Sequence, residues 1–169
     1  MRSWKIDVAA ALAGALLFGS ALLAVPASAA VAAAHHGYER FKIRTTTVGA
    51  TRDSLRAVGV LDAKGHAVPS AIVSGHGTVK LELPKGSIWL SLTVVTSSVT
   101  APNPTTCAFT EANTGTYQVS KGSGRYKGAA SSGHFLTRIA ASLVSSDGVC
   151  TATLATYSKY QETWGDLSW

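Results

Sequence analysis

Arg125 and Tyr126 are the adjacent residues whose chemistry is most suggestive in this sequence. A guanidinium group can hold an anionic ligand with a fork of N–H donors, and a phenol can donate a proton. Both residues follow Gly122 and Gly124, which allow a tight, positive-φ connection after a strand. We predict that Arg125 and Tyr126 bind a ligand. The alternative is a structural role, in which Arg125 is an exposed charge in a turn and Tyr126 is an aromatic lid that packs on the end of a barrel.

The carboxylates offer no evident pair for acid–base catalysis, and we assign no catalytic residue. Most acids beyond position 29 sit beside glycine, lysine or turn residues, so we expect them to be exposed: Glu39, Asp53, Asp62, Glu82, Glu111, Asp147, Glu162 and Asp166. Glu111 is the expected exception, because it shares its strand parity with Phe109 and would then point into a barrel. A carboxylate in that position is our third candidate ligand-binding residue.

Cys107 and Cys150 are the two cysteines of the chain. An even number of cysteines in an exported protein indicates a disulfide, here closing a loop of about 44 residues. The alternative is a catalytic thiol, which needs a histidine such as His134 beside it.

The histidines do not have the spacing of a metal site, and we expect neither a metal nor another cofactor. His66, His76 and His134 are widely separated. A separate hypothesis concerns His35. If a leader were cleaved after Ala34, the new terminal amine and the His35 imidazole could bind copper, which favours nitrogen ligands.

Residues 1–29 are typical of a signal peptide. Arg2 and Lys5 precede an apolar run from Val8 to Val25, and Ala27-Ser28-Ala29 forms a small-residue cleavage site. Cleavage is expected between Ala29 and Ala34, which would leave a secreted protein without a stable membrane span. The alternative is a single transmembrane anchor, because the run is close to the roughly 18 residues that a span needs.

Composition narrows the remaining functions. The chain has 169 residues, of which 46% are hydrophobic and 14% charged, which indicates one folded domain rather than a disordered protein. It lacks a Walker loop, a dinucleotide fingerprint and an HExxH motif. Without the leader the net charge is +5. Arg40, Lys42 and Arg44 would share one strand face, either simply solvated or facing an anionic partner. No recognised nucleic-acid motif accompanies them, so we expect no nucleic-acid partner.

The sequence beyond the leader has the two-residue periodicity of strands. Val79–Leu83 and Ile88–Val95 alternate and flank a turn at Pro84–Ser87, which predicts a hairpin. Turns are also predicted at Ala112–Gly115 and at Ser145–Gly148. About eight strands at regular spacing predict an all-β fold. We expect a single antiparallel barrel over residues 39–169, preceded by a lead at 30–38.

One glycine-rich stretch carries a family resemblance. Its residues are Gly115-Thr116-Tyr117, Lys121 through Ala129, and Ser132-Gly133. This pattern resembles small exported actinobacterial proteins with an allene-oxide-cyclase-like or dirigent-like β-barrel, in which cysteines placed like Cys107 and Cys150 also occur. The resemblance covers roughly residues 39–160. The plant members imply oxylipin cyclisation or guidance of phenoxy-radical coupling. The resemblance does not extend to their catalytic residues, and fold similarity alone does not assign an activity.

These observations favour a non-enzymatic module that binds a small apolar ligand or works at a cell surface. The alternative is a cyclase-like or dirigent-like protein that acts on an apolar substrate in the barrel cavity.

Overall fold

Residues 35–169, which the computed structural model describes, form eight antiparallel strands, so the fold is all-β as predicted. The expected signal peptide at 1–29 lies outside these residues. Each strand pairs with the next one along the chain, and the last pairs with the first: β1 His36–Thr45, β2 Asp53–Gly59, β3 Ala63–Pro69, β4 His76–Leu83, β5 Gly86–Val99, β6 Ala108–Gly122, β7 Ala130–Ser146 and β8 Val149–Ser168. β1 therefore already includes His36–Tyr38, which sequence analysis assigned to the lead.

Pairing between β1 and β8 closes the barrel. Ten consecutive residue pairs join the two strands, from His36 opposite Ser168 to Thr45 opposite Lys159. Because the ring is closed along this seam, β1 does not present a free edge to other chains.

Alternate residues of each strand point inward and form the core. In β1 the inward residues Phe41 and Ile43 are fully buried, and they alternate with the outward Lys42 and Arg44. The other strands follow the same rule with Leu55, Val79, Leu81, Ile88, Leu90, Tyr117, Phe135 and Leu167. The apolar face of a sheet has to pack against another apolar surface, and in a closed barrel the inner faces of opposite strands pack against each other.

The second half of the barrel is longer than the first. β1–β4 have 7 to 10 residues, whereas β5–β8 have 14 to 20, so the sheet of the long strands extends past the barrel rim. The predicted disulfide lies in this extension. The sulfurs of Cys107 and Cys150 are 2.08 Å apart and link the segment before β6 to the start of β8.

The hairpins at Pro84–Ser87 and Ser145–Gly148 are confirmed, but the turn predicted at Ala112–Gly115 is wrong. These four residues lie inside β6, paired with β5 and with β7. Gly115 is needed for close packing rather than for a turn, because a Cβ on it would lie 2.0 Å from the carbonyl oxygen of Thr93. Within residues 35–169 there is no helix of the length and apolarity that a membrane crossing requires.

Removing the disulfide should destabilise the protein without changing its fold. We expect the double substitution Cys107→Ala/Cys150→Ala to lower the free energy of unfolding by about 4 kcal/mol, because the unfolded chain is no longer closed into a loop of about 44 residues. Urea unfolding followed by circular dichroism measures this difference. Repeating the urea unfolding with dithiothreitol, which reduces the disulfide, should lower the stability of the original protein and leave that of the variant unchanged. Equal stability of the two proteins under oxidising conditions would contradict the prediction.

Candidate functional site

A cleft of about 250 Å³ lies at one end of the barrel, where a short 3₁₀ turn, η1 (Gly124–Tyr126), follows β6. We call it the mouth cleft. Both sequence candidates in η1 line it, and the full lining is Val60, Leu61, Asp62, Ala63, Pro84, Lys85, Arg125, Tyr126 and Trp169.

The glycine-rich sequence determines how η1 reaches the mouth. Gly124 has φ +59°, a conformation that favours glycine, whereas Gly122 is needed because a Cβ there would lie 1.7 Å from the carbonyl oxygen of Tyr126. The backbone N–H of Arg125 donates to the carbonyl oxygen of Lys85 at 2.9 Å. This bond docks η1 on the β4–β5 hairpin and brings the two basic residues, Arg125 and Lys85, to the same cleft.

Aromatic side chains form one wall of the mouth cleft. Trp169 is stacked on His35, with ring centroids 4.9 Å apart, and meets Tyr126 edge to face at 6.0 Å. Tyr126 is buried and belongs to the core, so it does act as an apolar lid. A guanidinium nitrogen of Arg125 lies 3.2 Å from His35 Nε2. The indole Nε1–H of Trp169 is buried and has no hydrogen-bond acceptor in the described part of the chain.

Glu39 is a buried acid directly behind this cleft, so our expectation that it is exposed is wrong. Its side chain is fully buried, and Oε2 accepts a hydrogen bond of 2.8 Å from the backbone N–H of Leu61. Oε1 has no partner among residues 35–169. Burial raises the pKa of Glu39 above its ordinary value, although the backbone N–H bonds oppose this effect. The signal was present in the sequence, because Glu39 shares its strand parity with the apolar Phe41 and Ile43.

Tyr117 fills the interior next to Glu39. A Cβ on Gly133 would lie 2.9 Å from Cε1 of Tyr117, and a Cβ on Gly165 would lie 2.8 Å from its hydroxyl group. The ring thus occupies the space left by two paired glycines, and its hydroxyl lies 2.9 Å from Ser131 Oγ. Burial raises the pKa of Tyr117. Large side chains therefore occupy the interior at this level, whereas the mouth cleft is accessible from outside.

Glu111 lies far from the mouth cleft. It is half-buried near the start of β6 and accepts a hydrogen bond of 2.5 Å from Asn113 Nδ2. Gly122 lies eleven positions further along β6, about 36 Å away at the usual rise of a strand. The structure therefore brings Arg125 and Tyr126 together, but it does not bring Glu111 to them.

A second buried polar group occupies the opposite end of the barrel. Asp53 is also buried, against our expectation, and Lys159 Nζ lies 2.5 Å from its Oδ2. The hydroxyl of Thr45 donates to the other carboxylate oxygen. Asp53 shares its strand parity with the buried Leu55, and this parity was the signal that sequence reasoning missed. A buried ion pair of this kind holds three strands in register but is weak evidence for stability.

The histidines do not converge. In the part of the chain that the structure describes, no three His, Cys, Asp or Glu side chains are close enough together to hold a metal ion.

Comparisons of the chain with protein-family models, with curated proteins and with solved structures found no match. The resemblance to allene-oxide-cyclase-like and dirigent-like barrels therefore stays a prediction from the sequence.

Glu39 should make stability depend on pH. The pKa of this acid is raised from 4.5 in the folded state, so the folded protein holds the proton more tightly than the unfolded chain. Its contribution is therefore favourable at low pH and is lost as the pH rises from about 4.5 through the raised pKa. We expect the free energy of unfolding, relative to that of Glu39→Gln, to fall over this range in urea titrations between pH 4 and pH 8.

Glu82→Gln is the matched control for this measurement. Hydrogen bonds from Lys80 and Arg52 lower the pKa of Glu82, so its effect is confined to pH values below about 4.5. Relative to Glu82→Gln, the stability of the original protein should be constant above pH 5. The prediction is wrong if the free energy of unfolding of the original protein, relative to that of Glu39→Gln, also stays constant above pH 5. That result would show that Glu39 is ionised in the folded protein over this range.

Proposed function

We propose that this protein binds a small amphipathic molecule with an anionic group at the mouth cleft, and that it does so without catalysing a reaction. The observation that carries the proposal is the pairing of two cationic side chains, Arg125 and Lys85, with an apolar and aromatic wall. Ligand sites in proteins commonly combine a mostly apolar lining with a few polar groups that orient the ligand.

The charge balance of the cleft supports an anionic ligand. Asp62 is the acidic residue of the lining, and its Oδ1 is already held by Arg56 at 2.5 Å. Arg125 contacts the imidazole of His35, and among residues 35–169 neither Arg125 nor Lys85 forms a salt bridge with a carboxylate. Arg125 and Lys85 therefore remain available to a carboxylate, sulfonate or phosphate on the ligand.

The size and the shape of the cleft favour a ligand of one or two rings. Its volume of about 250 Å³ is at or below the lower end of ordinary small-molecule sites. Pro84, Val60 and Trp169 offer apolar surface to a planar ring. The Nε1–H of Trp169 is buried without an acceptor among residues 35–169. After a small shift of the ring, an acceptor atom of the ligand would recover part of the free energy that this unpaired donor costs.

Binding rather than catalysis is favoured by the position of the buried acid. Glu39 is fully buried behind the backbone of Leu61, so its carboxyl group is separated from a ligand in the cleft. The cyclase-like or dirigent-like alternative needs substrate space inside the barrel, where Phe41, Phe135 and Tyr117 are fully buried neighbours in the core. These observations support the binding module over the enzyme.

We also propose that the protein acts outside the cytosol. The Cys107–Cys150 disulfide supports this location, because disulfides persist in oxidising compartments and are rare in the cytosol. The sequence of residues 1–29 points the same way.

The fluorescent anion 2-naphthoate tests the site. We expect Arg125→Gln to weaken its binding about tenfold to a hundredfold, because a charge-assisted hydrogen bond contributes about 1.5–3 kcal/mol. Lys127→Gln is the matched control, since Lys127 follows the same turn but does not line the cleft. Fluorescence titration of the full chain gives both dissociation constants.

The uncharged analogue 2-naphthylmethanol separates recognition of the anionic group from packing of the ring on the apolar wall. It should bind more weakly than 2-naphthoate to the original protein and equally well to both variants. If Arg125→Gln and Lys127→Gln bind 2-naphthoate with the same affinity as the original protein, the assignment of the anion to Arg125 is wrong.

A further inference from the structure

The outer surface of the barrel carries a band of basic residues that the mouth cleft does not use. Lys42 of β1 lies opposite Arg56 of β2, and Arg56 lies opposite Lys64 of β3. Three cations thus occupy directly paired positions on three neighbouring strands. Like charges placed directly across a sheet repel one another and destabilise it.

The band continues in the other direction around the barrel. Arg44 of β1 and Arg138 of β7 both lie opposite Tyr160 of β8, one on each side of it. The guanidinium carbon of Arg44 is 5.4 Å from the centre of the Tyr160 ring. We call these residues the basic stripe: Arg138, Arg44, Lys42, Arg56 and Lys64.

Acidic side chains neutralise only part of this surface. Arg56 pairs with Asp62, and the neighbouring Arg40 pairs with Glu162 at 3.0 Å. Among residues 35–169 no carboxylate forms a salt bridge with the other four members of the stripe, Arg138, Arg44, Lys42 and Lys64.

The other side of the barrel is different in kind. On the outer surface of β4–β6, Lys80 and Lys121 flank Trp89 and lie over its ring, and Lys80 is also paired with Glu82. The hydroxyl-bearing residues Thr93, Thr96, Thr114 and Thr116 also face outward on β5 and β6. The side of the basic stripe differs because its cations occupy directly paired positions on three successive strands.

We propose that the basic stripe binds an extended acidic polysaccharide. The stripe crosses five neighbouring strands, β7, β8, β1, β2 and β3, which corresponds to about 19 Å at the usual strand spacing. In a closed ring of eight strands, five neighbours cover about half of the circumference. A flexible chain with repeated carboxylate or sulfate groups can follow this curve and pair with the four stripe cations that form no salt bridge among residues 35–169, Arg138, Arg44, Lys42 and Lys64.

The curvature argues against two other anionic partners. A flat membrane can touch only a few strands of a convex barrel, so Arg138 and Lys64 would not reach it together. Duplex DNA is too stiff to bend around so small a cylinder, because its persistence length is about 150 base pairs.

The aromatic content of the stripe argues against single-stranded nucleic acid. Proteins that bind single strands stack successive bases on several exposed aromatic rings. Tyr160 lies between Arg44 and Arg138, and Arg44 already lies over its ring. The outward rings of Tyr38 and Trp164 lie further along β1 and β8, towards the mouth, and not along the stripe. The stripe itself is thus suited to ionic contacts along a polymer rather than to stacking of successive bases. The disulfide also favours a partner that is found outside the cytosol.

Heparin, a sulfated polysaccharide, tests the proposal with the full chain. We expect Lys42→Gln/Lys64→Gln to weaken heparin binding roughly tenfold or more at 0.1 M salt. Each ionic contact with the polymer releases condensed counterions on binding, so the loss of two contacts lowers the gain in entropy. The dependence of the binding constant on salt concentration should also become shallower. Lys121→Gln/Lys127→Gln removes the same charge away from the stripe and is the matched control, with an affinity close to that of the original protein.

Thermal unfolding shows whether the stripe variant is folded. Because the substitutions relieve repulsion around Arg56, the unfolding midpoint should stay the same or rise. Arg44→Gln/Arg138→Gln is a second variant, which should weaken heparin binding to a similar extent.

Three results would overturn the proposal. The first is a failure of heparin binding to depend on the stripe: either the original protein does not bind heparin, or the stripe variant and the control variant bind it equally weakly. The second is tighter binding of a thirty-nucleotide oligothymidylate than of heparin, which would identify a nucleic-acid surface. The third is stripe-dependent binding of vesicles that contain phosphatidylglycerol with no binding of heparin, which would identify a membrane surface. Loss of heparin binding with unchanged 2-naphthoate binding separates this inference from the function of the mouth cleft.

Discussion

Closure of the sheet between β1 and β8 is the constraint on which the rest of this structure depends. The ten residue pairs along this seam convert one amphipathic sheet into a closed wall with a separate inside and outside. Each strand then has to fill the interior with every second residue and to offer the others to solvent. The interior is limited in volume, so large residues at some positions require glycines at others. Tyr117 over Gly133 and Gly165 is the clearest example.

The two ends of the barrel meet this constraint in different ways. At the mouth, Tyr126 covers the core and leaves a shallow cleft between η1 and the β4–β5 hairpin. At the opposite end, the buried pair of Asp53 and Lys159 takes the place of an apolar cover. The long strands β5–β8 continue beyond this second end, and the disulfide braces their extension. The two binding sites that we propose therefore lie at the mouth and on the outer wall, because large side chains fill the interior.

The outer wall follows from the same alternation as the core. Because Phe41 and Ile43 face inward, Lys42 and Arg44 have to face outward, and the register of β2 places Arg56 beside Lys42. A sequence can place charges on one face of a strand, but only strand pairing sets like charges side by side. The cost of that repulsion is the physical reason to look for an anionic partner.

The sequence by itself determined the all-β class, the approximate number of strands, two of the hairpins and the disulfide. These features depend on local alternation, on turn residues and on a cysteine count, which a single chain displays directly. The proximity of Arg125 and Tyr126 to a cleft also followed from local sequence. The strand parity of Glu39 indicated that it is buried, but only the tertiary structure decided that it lies behind this cleft and that Glu111 lies far from it. Proximity of this kind depends on which strands become neighbours and in which register, and that is a property of the closed sheet as a whole.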